Sequence, residues 1–161
     1  MENLIDKNYF WGGIALPNMS EEEEQSELDR YIAYYQKDYL KKMFGDDIAE
    51  NVPAELIDEL RDEETLFSPI ADYVYFHHNR DKATVTAPAG EKTIVIQNTQ
   101  TVTPNEKLVR AWNRMVDFNH KLHDKLYLGT IEIEGISYVD DIQPNIDLTD
   151  DIFCSINIFN I

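Results

Sequence analysis

Four histidines, one cysteine and three pairs of adjacent aspartates are the residues of this 161-residue chain whose types could carry chemistry. His120 and His123 stand three apart, a spacing that puts both imidazoles on one face of a helix within reach of a shared metal ion, and His77-His78 could supply a third ligand. Neither a cysteine nor a positioned carboxylate accompanies them, and helix-borne histidines without such company more often serve a surface or an interface. The pairs Asp46-Asp47, Asp140-Asp141 and Asp150-Asp151 lack the alternating oxygen donors and central glycine that wrap a loop around calcium. They read as turn residues and solvated charge.

Ala89-Gly90-Glu91-Lys92-Thr93 imitates the end of a phosphate loop. Glu91 stands where a glycine must precede the lysine, and Thr86 stands where the earlier glycine must bare backbone N–H groups to phosphate. Cys154 lies in an apolar stretch without a basic neighbour and reads as a buried, inert thiol. No nucleophile–base pair and no ligand cluster can be assembled from these residues, so no enzyme, metal or cofactor is expected.

The composition, 43% hydrophobic and 28% charged, is that of one folded domain. No apolar run reaches the roughly 20 residues needed to span a bilayer, and a lone cysteine fits a reducing compartment, so a cytoplasmic protein without a membrane partner is expected. The net charge of -17 argues against a protein that grips nucleic acid by neutralising phosphates. That charge is uneven: residues 1–65 carry 18 acids and 6 bases, 66–126 carry 6 and 8, and 127–161 carry 7 and none.

The elements that must position these residues are mostly helices. Ser20 with Glu23 forms a capping-box pattern, the apolar residues from Leu28 to Phe44 recur at helical spacing, and Gly45 offers a stop, which predicts a helix over 21–44. Pro53–Glu63 predicts a short helix, Ser68-Pro69 opens one over 69–81, and Thr103-Pro104 with Glu106 opens one over 104–124. The aromatic residues Tyr31, Tyr35, Tyr39, Tyr73 and Trp112 should be mostly core, with some surface left for an interface.

Between the last two helices, Thr84–Ala87 and Thr93–Gln97 read as extended arms around Pro-Ala-Gly. A connection of that length is unusual in a helical domain and implies a function or a partner. Thr130–Glu134 and the series Ile152, Cys154, Ile156, Ile158 alternate with period two and predict strands, the last with an open edge that must pair. The expected fold is therefore mainly α with added β: a four-helix bundle-like core, a long β-hairpin-like loop and C-terminal strands. The expected organisation is an N-terminal arm at 1–20, a helical core at 21–126 that includes the extended loop 82–103, and a β extension at 127–161.

Ser68-Pro-Ile-Ala-Asp-Tyr-Val-Tyr-Phe76, closing on Asn79-Arg80-Asp81, and Pro104-Asn-Glu-Lys-Leu-Val-Arg-Ala-Trp-Asn113, continuing through Asp117, resemble two stretches of the head-tail connector (adaptor) proteins of tailed phages, including those of Bacteroides phages and crAss-like phages. A Thr/Val-rich loop of similar length lies between the two stretches in that family. The resemblance covers roughly residues 30–125; those before 20 and after 126 depart from it.

The resemblance implies a structural subunit of the virion, placed at the head-tail interface and assembled in the host cytoplasm. It would form a homo-oligomeric ring, usually of about twelve copies, docking between the portal protein and a downstream connector or tail protein. DNA would pass without specific binding, because a dozen copies would bring roughly 200 net negative charges together and the acids facing the channel would repel phosphate.

The interface residues expected on that basis are Val85, Thr86, Ile94, Val95 and Ile96 in the loop and Ile156, Ile158 and Phe159 in the tail, both able to add strands to a neighbour. Arg80, Arg110 and Arg114 are the bases expected to pair with acids of the first helix, within or between subunits. The composition alone also admits a different class, a small acidic binding module or DNA mimic that inhibits a nucleic-acid-binding protein.

Overall fold

The computed structural model describes residues 2–16, 21–87, 90–93 and 104–157. Helix α1 (Glu22–Phe44) starts with Glu22, Glu23 and Glu24 against the positive end of its dipole and ends with Lys41 and Lys42 against the negative end. Ser20, the expected cap, lies outside the described residues. Gly45, at φ 86°, stops the helix, and its N–H donates to the Lys41 carbonyl at 2.9 Å. Leu28, Ile32, Gln36, Tyr39, Leu40, Met43 and Phe44 form the buried stripe of α1.

Two short helices follow, α2 (Asp46–Glu50) and α3 (Ala54–Leu60). The second ends before the expected residue 63, because Asp62 leaves the helix to accept from the backbone N–H groups of Glu64 and Thr65, both at 2.9 Å. Helix α4 (Pro69–Ala83) begins with the Ser68 hydroxyl accepting from the Ile70 N–H at 3.2 Å. Ser68 through Phe76 are all buried, so the first half of α4 is covered on every side, while Arg80, Asp81 and Lys82 at its end are exposed. Helix α5 (Pro104–Tyr127) packs along it, with Trp112 set 4.4 Å from the Phe76 ring and 5.9 Å from the Tyr73 ring, centroid to centroid.

The N-terminal residues are part of this core: Ile5, Tyr9, Phe10, Ile14 and Leu16 are buried. The buried Gln36 amide pins them, accepting from the Leu4 N–H at 2.7 Å and donating to the Glu2 carbonyl at 3.1 Å. No helix among the described residues is long and apolar enough to cross a membrane.

The expected β component is corrected. Residues Thr84–Ala87 (β1) pair antiparallel with Gly90–Thr93 (β2), and this pairing of four residues on four forms no β layer. The rest of the expected second arm, 94–97, lies outside the described residues. The C-terminal strands are absent from the described residues: Ile133 makes only an isolated bridge to Ile136, a π-helical turn spans Tyr138–Ile142, and 3-10 turns span Gln143–Asn145 and Asp151–Phe153. The fold is α.

Side chains of α5 occupy the place a partner strand would have taken. The Trp112 indole N–H donates to the Cys154 carbonyl at 2.9 Å, and the Asn119 amide donates to the Ile152 carbonyl at 2.7 Å. Asn113 accepts from the Ile156 N–H at 2.8 Å and donates to the Ile156 carbonyl at 2.9 Å, the two bonds that a paired strand residue would exchange. With its backbone satisfied in this way, the terminal segment needs no ladder. Ile152 and Phe153 are buried side by side, which a strand with one solvated face would not allow.

Candidate functional site

Helices α1, α4 and α5 meet along a polar and aromatic seam. Asp72 of α4 is fully buried, and the guanidinium of Arg114 on α5 grips it with two hydrogen bonds, one from Nε at 2.7 Å and one from Nη2. Burial pushes the Asp72 carboxyl up to about 6, and the Arg114 charge and hydrogen bonds pull the other way. Arg114 remains half exposed and lies over the Phe67 ring at 5.2 Å. The pair locks α4 to α5 from within.

Beside it, the Tyr39 hydroxyl donates to the buried Asn119 carbonyl oxygen, so one amide joins α1, α5 and the terminal segment. The Tyr73 hydroxyl donates to Asp38 at 2.6 Å. His77 is stacked on Tyr35 at 4.4 Å and held neutral, its pKa pushed down to about 4, first by burial and then by the Arg80 charge. Neither His77 Nε2 nor His78 Nδ1 has a hydrogen-bond partner among the described residues. These rings pack; they do not present a proton to a cleft.

The other histidines are also taken up structurally. His120 Nε2 is 2.9 Å from the Phe153 carbonyl, and His123 Nε2 is 2.7 Å from the Tyr138 hydroxyl. Among the described residues no three His, Cys, Asp or Glu side chains are grouped to hold a metal ion. Cys154, expected to be buried, is exposed, because the 3-10 turn at Asp151–Phe153 spends its two inward positions on Ile152 and Phe153.

The expected interface residues fall in several places. Arg114 pairs with Asp72 of α4 instead of an acid of α1. Arg80 is exposed over the Phe76 ring at 5.4 Å, and Arg110 is exposed on α5. Val85 and Thr86 lie on β1 opposite Lys92 and Glu91. Ile94, Val95, Ile96, Ile158 and Phe159 lie outside the described residues. Ile156 is half buried and bonded to Asn113 of its own chain, so it is not free to receive a neighbouring strand.

Two surface features escaped the sequence. Tyr34 is 69% exposed between Arg30 and Lys37 on the outer face of α1. Its i+4 and i+3 spacing from those bases was the available signal. At the far end of α5, Tyr127, Leu128 and Val139 are 63%, 73% and 62% exposed. No protein-family model, curated protein or solved structure matches this chain.

Proposed function

We propose that this protein is a non-enzymatic structural subunit of a phage head-tail connector ring, docking between a portal and a downstream connector or tail component. The carrying observation is the α4–α5 pair. The two stretches that resemble the connector family, 68–81 and 104–117, pack directly against each other and are joined by Asp72 and Arg114, one residue from each. The resemblance thus falls on the frame of the fold. Buried titratable groups serve packing, which supports an assembly role over a catalytic one. The terminal segment, folded on its own chain through residue 157, is not part of the proposed contact.

A charge of -17 on every copy makes subunits repel at long range. Raising salt from about 10 mM to about 100 mM shortens the screening length from roughly 30 Å to roughly 10 Å. Sedimentation velocity of the purified chain is expected to show larger species gaining over the monomer across that range. Assemblies that dissolve as salt rises through it would count against a ring built from like-charged copies.

A further inference from the structure

Arg30, Ala33, Tyr34, Lys37 and Lys41 recur along α1 at the spacing of one helical face, and with Asp38 they line a shallow groove. Lys41 is engaged by Asp46, but neither Arg30 nor Lys37 forms an ion pair among the described residues, although acids outnumber bases 31 to 14 in the chain. Tyr34 stands between them with its ring edge-on to Tyr35 at 4.9 Å, held upright by its neighbour and open to solvent. The face is aromatic at its centre, flanked by the two bases Arg30 and Lys37, with Asp38 in the groove and Glu27 and Asp81 near Arg30.

The end of α5 has the opposite character. Tyr127 and Tyr138 pack edge to face at 6.0 Å, joining the helix terminus to the turn that carries Val139, and Leu128 is the most exposed large apolar residue of the described chain. Asp124, 74% exposed, lies one turn before Leu128 on α5, and Asp140 and Asp141 directly follow Val139. No Lys or Arg occurs anywhere in 127–161. This patch is apolar in its centre and acidic at its edge.

We propose that these two surfaces dock on each other between copies: the outer face of α1 in one subunit receives the α5-end patch of the next, Tyr34 against Leu128 and Val139, and Arg30 and Lys37 against the acidic edge. The inference rests on the assembly role proposed above and names its contact. Charge selects the occupant. Either surface laid on its own copy would set acid against acid or base against base, whereas face against patch is complementary, and used once per subunit pair it runs head to tail, as a ring requires. Nucleic acid is a poorer fit, because two bases, Arg30 and Lys37, on a chain of net charge -17 neutralise few phosphates. Salt screens these edge pairs as well as the long-range repulsion, but with -17 on every copy the repulsion is the larger, so salt favours this contact on balance.

Two variants of the full chain test it. Arg30→Glu with Lys37→Glu spoils the face, and Leu128→Ser with Val139→Ser spoils the patch; all four residues are exposed, and unchanged thermal melting confirms that each variant folds. Each alone is expected to self-associate at least about 30-fold more weakly than wild type, the loss expected when hot-spot contacts are removed. Mixed in equal amounts they are expected to form a two-subunit complex and nothing larger, since one good face and one good patch remain. A mixture that stays monomeric, or either variant assembling as wild type does, overturns the docking but leaves the ring proposal standing. A wild-type chain that is monomeric at every concentration and salt, alone and with its portal, overturns both.

Discussion

Arg114→Ala is expected to destabilise the fold by an amount toward the low end of the roughly 3–5 kcal/mol that accompanies breaking a buried ion pair, because Arg114 itself is half exposed and water can partly replace it. The damage lies in what is left behind, a fully buried Asp72 carboxylate with no cation beside it. The loss should depend on pH in a defined sense. Asp72 in the folded protein already titrates near 6 against an ordinary 3.8, so the fold holds that proton more tightly than the unfolded chain, and the contribution of this group to stability falls as pH rises from about 4 through about 6. Without Arg114 the carboxyl rises further, and the falling limb extends to higher pH. Urea unfolding of wild type and variant should therefore differ least near pH 5 and most above pH 7. Replacing both partners with apolar residues, Asp72→Leu with Arg114→Met, should recover much of the loss. A gap between wild type and Arg114→Ala that is independent of pH would show that the arginine acts by packing on Phe67 alone.

Trp112→Ala is expected to cost about 3–5 kcal/mol, the range for deleting a large buried aromatic side chain. Beyond the cavity beside Tyr73 and Phe76, it removes the donor to the Cys154 carbonyl. Trp112→Phe keeps much of the ring volume and loses that bond with a smaller part of the ring, so it should cost about 1–3 kcal/mol. Hydrogen exchange then separates the two effects. Both variants should lose protection in 152–156 relative to α4, while only the alanine variant should loosen the α4–α5 contact. Unaltered protection at 152–156 in both would mean that Asn113 and Asn119 hold the segment without the indole.

The helices were legible because their ends are written in residues with one local meaning. Ser68-Pro69, Pro104 and Gly45 mark boundaries regardless of what packs nearby. The terminal segment was not legible, because its alternation at Ile152, Cys154 and Ile156 is compatible with a strand and equally with a 3-10 turn followed by extended chain. What decided between them was the amides of Asn113 and Asn119, some 33 to 43 residues away in the chain. The identity of the Arg114 partner was likewise a tertiary fact.

The burial of Asp72 had a signal. It is the single charge in an otherwise uncharged stretch from Ser68 to Phe76, and a helix apolar on all sides is one that other elements enclose. The exposed patch at Tyr127, Leu128 and Val139 had a weaker one, since single exposed apolar residues are ordinary and only their convergence after folding makes a surface.

Electron microscopy of the purified protein, alone and mixed with the portal protein that the proposal requires, tests the assembly proposal most directly. Closed rings seated on the portal, each subunit presenting its α4–α5 pair in the same orientation, are the predicted result. A chain that stays monomeric and leaves the portal bare across the salt range would contradict it.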